Sequence, residues 1–279
     1  MDRRALLADA VRRLTDAGVA SPVADAETLL AHVLRTDRNR LLLVDEVSSQ
    51  QSEEYDALVA RRAGREPLQH LTGTAYFRHV ELAVGPGVFV PRPETEVLAG
   101  WAVDHALEIE HPVVVDLGTG SGAMAKSIAH EVPGAQVHAV ELDESAHAYA
   151  TRNLEGTGVD LRLGDLGAAF DDLAGTVDVI VSNPPYIPMD AWESVTAEVR
   201  DHDPALALWS GEDGLDAIRV VERRAALLLK VGGVVGVEHA DIQGESAQAV
   251  FASTGHWTDV RDHPDLAGRP RFVTARLAR

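Results

Sequence analysis

The chain has 279 residues, 25 basic against 44 acidic, for a formal net charge of −19. That balance argues against a protein that coats nucleic acid, since such affinity comes from Lys and Arg neutralising phosphates. With no cysteine, disulfides, thiolate metal sites and cysteine nucleophiles are excluded.

The opening MDRRALLADAVRRL interrupts its apolar positions with charge, and no continuous apolar or cleavage-like segment follows. No stretch is long and apolar enough to cross a bilayer, so a soluble, cytoplasmic protein is expected. Leu6, Ala10, Val11 and Leu14 recur at helical spacing, and Ser21-Pro22 starts a second helix with Ala26, Leu29, Leu30 and Val33 on one face. A short apolar piece at 40–44 precedes a capped helix over 52–64 carrying Tyr55, Leu58 and Val59. Residues 1–75 therefore read as a small helical domain, either a packing adaptor or a module that recognises a macromolecular substrate.

From Pro67 the pattern breaks into short apolar pieces at 76–80, 81–84 and 88–90, so 76–92 reads as a hairpin or linker. It runs into VPRPETE (90–96), where two prolines stiffen the approach and Glu94 to Glu96 enter the first turn of a helix. This segment is either a rigid junction or the edge of a ligand mouth.

Residues 93–279 carry the chemistry. VVVDLGTGSG is a β run followed by Gly118, Thr119, Gly120, Ser121 and Gly122, leading into a helix at 123–129. Glycines there allow a tight turn and let backbone N–H groups approach a nucleotide-like ligand. The spacing is neither the full dinucleotide pattern nor a P-loop. A second β run delivers Glu141 at its end, where an acid can accept ribose hydroxyls. Asp143, Glu144 and Asn153 read as the start and solvated face of the next helix. After a third run at 159–163, Asp165 and Leu166 can line an adenine pocket.

The fourth run, 177–181, ends in Ser182-Asn183-Pro184-Pro185-Tyr186. Two prolines stop the chain from continuing as helix and leave carbonyls facing outward at a strand end, where open α/β sheets bind ligands. A planar nitrogen bearing two hydrogens fits between two acceptors, Asn183 Oδ1 and the Pro184 carbonyl, with Tyr186 or Ile187 against its plane. A helix at 213–230, a strand at 234–238, a helix at 243–252 and a terminal strand pair near 257–261 and 271–277 complete the pattern. The loop Asp265 to Arg269 has no evident role. The histidines, among them His70, His79, His202 and His256, show no ligand spacing, and no metal site is expected.

The segments REPLQHLTG, VPRPETE, VVVDLGTGSG, VSNPPYIP, EVRDHDPALALWSGEDGLD and DLAGRPRFV, in that order, resemble the glutamine-N5 methyltransferases that modify peptide-chain release factors. The resemblance implies a Rossmann-like class I methyltransferase, an α/β fold with a seven-stranded mixed sheet, behind the small N-terminal helical domain. It implies S-adenosylmethionine as cofactor and S-adenosylhomocysteine as product. The cofactor would be held by Gly118 to Gly122, Glu141, Asp165, Leu166 and Asn183. Asn183, Pro184, Pro185 and Tyr186 would hold the substrate, and Asn183, Pro184 and Tyr186 would carry catalysis. It further implies class 1 release factors as partners, modified at the glutamine of a Gly-Gly-Gln motif. From charge and hydropathy no nucleic-acid or membrane partner is expected, and a monomer is the simplest oligomeric state. The chain departs from the family in having Glu141 where Asp is usual and Leu166 where an aromatic residue is common. The Val237 to Ala240 strand end is also unusual. The same Asn-Pro-Pro-Tyr tetrad occurs in adenine-N6 and guanine-N2 nucleic-acid methyltransferases, which stay open as an alternative, although no basic track is evident. A nicotinamide oxidoreductase would leave Asn183 to Tyr186 without a role, and no break in the motifs supports a non-catalytic adaptor. Residues 1–75, with 10 basic and 12 acidic side chains, are nearly balanced, so the remainder carries a net −17.

Overall fold

The computed structural model describes residues 1–279, apart from the side chains at 193, 194 and 197. It comprises two compact units, residues 1–74 with 196–202, and residues 75–195 with 203–279.

The first unit is helical, with α1 (Arg3–Asp16), α2 (Pro22–Leu34), α3 (Ser49–Ala63) and α4 (Leu68–Thr72). Each start has a local cause. The Asp2 carboxylate accepts from the Arg4 N–H, Pro22 occupies the first turn of α2, and Ser48 and Gln51 cap α3 reciprocally. The spacing of apolar residues then packs Leu6, Ala10, Leu14, Ala26, Leu29, Leu30, Tyr55 and Val59 into one core. The Tyr55 hydroxyl, buried there, donates to the Ala26 carbonyl at 3.1 Å. The apolar piece at 40–44 lies in a 3-10 helix, Arg38–Leu43, that buries Leu41 and leaves Leu42 and Leu43 exposed. At three residues per turn, a 3-10 helix lying on a core offers it one side chain in three.

In the second unit β1 (Thr74–Phe77) and β2 (Val80–Ala83) form a hairpin, while Val88 and Val90 are buried in a loop rather than a strand. There follow α5 (Thr95–Leu107), β3 (Val113–Leu117), α6 (Ala123–Glu131), β4 (Gln136–Glu141), α7 (Glu144–Leu154), β5 (Asp160–Leu163) and β6 (Val177–Ser182). The chain continues through α8 (Ala197–His202, in the first unit), α9 (Asp216–Leu228), β7 (Leu229–Glu238), α10 (Gly244–Ala252), β8 (Trp257–Pro264) and β9 (Pro270–Leu277). The expected seven-stranded mixed sheet is present in the order β5-β4-β3-β6-β7-β9-β8, with β9 antiparallel to both neighbours and the other pairs parallel.

Alternation along the central strands builds two cores. Val114, Val179 and Val181 face Leu98, Ala102 and Ile128, whereas Val115, Val177 and Ile180 face Ile218, Val221 and Phe251. Strands buried on both faces read as continuous apolar runs, and β6 is buried at every position. The strand order reverses between β3 and β6, which makes the carboxyl ends of these two strands the natural crevice for a ligand.

Candidate active site

Gly118, Gly120 and Gly122 have φ of +78°, +58° and +84°, a region side-chain-bearing residues avoid. The turn is stitched to β4 because the N–H groups of Gly118 and Thr119 both donate to the Val140 carbonyl, at 3.0 and 2.9 Å. A Cβ added at Gly120 would meet no heavy atom within 4 Å, so its backbone faces open space, whereas one at Gly118 would lie 3.6 Å from Leu166. Asp143 caps α7 through the Ser145 and Ala146 N–H groups, as its position predicts. Asn153 departs from its expected solvated face. It is buried, donates to the Ser121 and Ala83 carbonyls at 2.8 and 2.9 Å, and accepts from the Ala83 N–H at 2.7 Å. It thereby ties the glycine turn to β2, a long-range role that its place near a helix end does not reveal.

Asp116, one residue before the end of β3, is fully buried. Its Oδ2 accepts from the Thr119 hydroxyl at 2.6 Å and the Ala125 N–H at 3.2 Å, and its Oδ1 has no hydrogen-bond partner among the described residues. Burial pushes the carboxyl up from 3.8 to about 7. At the end of β4 the Glu141 carboxylate curls back to accept from the N–H groups of Gly120, Leu142 and Asp143 at 2.7, 2.8 and 2.9 Å. The extra methylene relative to Asp permits this, and three of its four or so lone-pair sites are used. Asp165 is exposed, with Oδ1 accepting from the Gly167 N–H at 2.7 Å, and Leu166 is half-buried. A nucleoside fits this set. It presents open backbone at Gly120, an acid with a spare acceptor site at the end of β4, an apolar wall at Leu166 and an unpartnered buried oxygen on Asp116.

The Ser182 hydroxyl donates to the Leu117 carbonyl at 2.6 Å, fixing the end of β6 against β3. Asn183 Nδ2 donates to Thr95 Oγ1 at 3.2 Å, and that hydroxyl donates to Glu238 Oε2 at 2.7 Å. Glu238 Oε1 accepts from the Tyr186 hydroxyl at 3.1 Å. The polarity of this chain orients the amide. The single hydroxyl hydrogen of Thr95 goes to the carboxylate, so Oγ1 can only accept from Asn183. Asn183 Oδ1 and the Pro184 carbonyl accept no hydrogen bond among the described residues. Glu238 is buried and pushed up from 4.5 to about 7, chiefly by desolvation. Burial and the adjacent carboxylate likewise push the Tyr186 phenol up. Gln243 Nε2 donates to the Tyr186 carbonyl at 3.0 Å and to that of Asp213 at 3.2 Å, holding the loop from the far side.

The sequence-predicted residues thus fall into two groups at the carboxyl ends of adjacent strands, the glycine turn with Glu141 and Leu166, and Asn183 to Tyr186. Four further side chains belong to them. Asp116 and Thr95 lie within motifs already marked, while Glu238 carried a readable signal as an acid ending a buried strand. Gln243 carried none. His239 is buried between the Ala240 carbonyl and Asp262, and no cluster able to hold a metal occurs among the described residues.

A Rossmann-like sheet with this cradle at its switch point defines a class I S-adenosylmethionine-dependent methyltransferase. Family comparison agrees, with the methyltransferase small domain matching residues 95–199 and the PrmC N-terminal domain matching residues 5–73. The chain is 57% identical to the release factor glutamine methyltransferase of Streptomyces coelicolor over 98% of this chain and 97% of that protein. It is 41% identical to the 4-amino-L-phenylalanine/4-methylamino-L-phenylalanine methyltransferase of Streptomyces pristinaespiralis, over 92% and 90% respectively. The hMettl16 catalytic domain, solved with the MAT2A 3'UTR hairpin 6, shares the fold with a TM-score of 0.55 at 15% identity, over 79% of this chain and 81% of that one. The chain belongs to the release factor glutamine methyltransferase family.

Proposed function

We propose that this protein methylates the side-chain N5 of the glutamine in the Gly-Gly-Gln motif of class 1 peptide-chain release factors. The observation that carries the reading is the Glu238–Thr95–Asn183 chain, which turns the Asn183 amide nitrogen to Thr95 and so leaves Oδ1, like the Pro184 carbonyl, an acceptor without a hydrogen bond among the described residues. A primary amide presents two N–H donors from one planar nitrogen and matches that pair. Tyr186, anchored at its hydroxyl by Glu238, limits the tilt of the amide plane, and Pro185 keeps the loop extended.

Gly118 to Gly122, Glu141, Asp165, Leu166 and Asn183 would hold the cofactor, and the remaining acceptor site of Glu141 would suit a ribose hydroxyl. Bound S-adenosylmethionine supplies a methyl group activated by a sulfonium. An amide nitrogen is a poor nucleophile because its lone pair is delocalised, so the protein's contribution is orientation and charge stabilisation. Asn183 Oδ1 and the Pro184 carbonyl bond both hydrogens, hold the nitrogen in place, and bond more strongly as positive charge grows on it; the methylated nitrogen is then strongly acidic and releases one of the two hydrogens as a proton to solvent, leaving the neutral N-methyl amide. The helical unit provides affinity for the rest of the factor, since one glutamine between glycines offers few features to bind. No helix among the described residues is long and apolar enough to span a membrane. A substrate that belongs to the translation machinery puts the enzyme's work in the cytoplasm.

The test is transfer of labelled methyl into four acceptors, a bacterial class 1 release factor, the same factor with its motif glutamine replaced by alanine, nucleic acid, and 4-amino-L-phenylalanine. Label should enter only the first. Label in nucleic acid or the free amino acid but not in the intact factor would overturn the assignment.

A further inference from the structure

The loop Asp265 to Arg269 is a built element. The Asp265 side chain accepts from the N–H groups of Ala267 and Arg269 at 2.8 and 3.0 Å, and its backbone N–H donates to the Arg269 carbonyl at 2.8 Å. Asp265 is buried, yet the loop it organises presents Leu266 at 94% exposure. The short 3-10 turn Asp241–Gln243 similarly presents Ile242 at 85% exposure, while its neighbour Gln243 is buried. These are the two most exposed large apolar side chains described in the chain. Apolar side chains held out by hydrogen-bonded turns at one end of the sheet are available to a partner's apolar surface.

Both mounts are wired to the substrate side of the site. Gln243 donates to the Tyr186 carbonyl at 3.0 Å. Arg269 lies 3.8 Å from the Glu94 carboxylate, and the next residue, Thr95, holds Asn183. The mounts are also neighbours, because a Cβ added at Gly244 would lie 3.3 Å from Pro270 Cβ. The fold explains the coincidence. β9 runs antiparallel to β7, so its start meets the end of β7, with Glu238 opposite Phe272 in register. The 265–269 loop and the turn after β7 must therefore emerge at the sheet end that carries Asn183 to Tyr186.

We propose that Ile242 and Leu266 form an apolar docking point for the protein that carries the target glutamine, outside the pocket that reads the amide. The occupant is that substrate protein because the pair is continuous with the site through Gln243 and Arg269, and because the Asn183 and Pro184 acceptors read no more than a planar nitrogen bearing two hydrogens. A protein must therefore be told from a free amide by contacts beyond the pocket. The half-exposed Arg269 guanidinium beside Leu266 suits a partner surface that pairs an apolar side chain with a carbonyl or carboxylate. This proposal rests on the release-factor reading.

The test compares the parent enzyme with Ile242→Ser/Leu266→Ser, using an intact bacterial class 1 release factor as acceptor, with steady-state kinetics and a direct S-adenosylmethionine binding titration. The double variant should raise KM for the factor at least tenfold, with kcat and cofactor Kd within twofold of the parent. Leu266→Met alone should keep the parent KM, since it preserves apolar volume. An unchanged KM in the double variant overturns the proposal. A lowered kcat with unchanged KM would also overturn it, by placing these residues in the support of the site. So would loss of self-association without a change in KM, which would assign the pair to a second copy of this chain. Failure of the parent enzyme to label the factor would instead overturn the release-factor reading itself.

Discussion

The hydrogen-bond chain from Glu238 to Asn183 predicts that turnover depends on pH through a group the reaction does not consume. While Glu238 is ionised it accepts from Thr95, and Thr95 can only accept from Asn183 Nδ2, so Oδ1 faces outward. Once protonated, the carboxyl can donate to Thr95, whose hydroxyl hydrogen is released toward Asn183, and the amide then turns its NH2 group to the substrate. A donor facing the donors of the target amide is repulsive. Glu238 is faced by Thr95 from α5, by the Tyr186 hydroxyl and by Arg271 from β9, all favouring ionisation, and by the Glu94 charge opposing it; desolvation outweighs them and sets the carboxyl near pH 7. Neither an amide nor a sulfonium titrates in this range. At pH 6, one unit below, about a tenth of the molecules keep Glu238 ionised, so kcat at saturating cofactor and release factor should fall about tenfold between pH 8 and pH 6. Glu238→Gln, which places an amide donor against Thr95, should hold kcat low and flat across that range. Asp116→Asn should change cofactor binding while leaving the kcat limb in place. A parent kcat that is flat from pH 6 to 8, or a limb that survives in Glu238→Gln, would refute the reasoning.

Asn183→Ala removes one of the two acceptors, and kcat should drop about 100-fold or more with cofactor Kd within about threefold, measured by labelled transfer and titration calorimetry. Asn153→Leu leaves the Ser121 and Ala83 backbone groups without their buried partner, so urea unfolding should show a loss of about 2–4 kcal/mol. Glu238 has a folded pKa raised above its unfolded value, so its contribution to stability is fully present below about pH 4.5 and is lost as pH rises through about 7. Denaturant unfolding between pH 5 and 8 should therefore show a smaller loss of stability with rising pH in Glu238→Gln than in the parent.

Much of the site was legible as one-dimensional pattern because its parts are continuous in the chain. The glycine turn needs three positive-φ positions within five residues, and Asn183 to Tyr186 needs two consecutive prolines after a buried strand. Both leave a mark that spacing reveals. Thr95 and Glu238 contact Asn183 and Tyr186 from 88 and 52 residues away respectively, and no local periodicity encodes a meeting of that kind. Asn153 was misplaced for the same reason. Its helix cap and spacing describe a surface position, and only the return of β2 beside the glycine turn buries it. At 40–44 the apolar composition was plain, but which leucine faces the core depends on the phase of a single turn.

The sequence by itself determined the alternation of short apolar strands and helices, the glycine turn at 118–122, the Asn183 to Tyr186 tetrad after a buried strand and the concentration of negative charge outside the first 75 residues, because each is a property of neighbours along the chain. Only the tertiary structure decided which way the Asn183 amide points, that a buried carboxylate sits behind it, and that the turns bearing Ile242 and Leu266 emerge at the same sheet end. The physical reason is the antiparallel insertion of β9 beside β7 and the packing of α5 over β6. These bring side chains far apart in sequence within hydrogen-bonding distance, where burial then sets their protonation and direction.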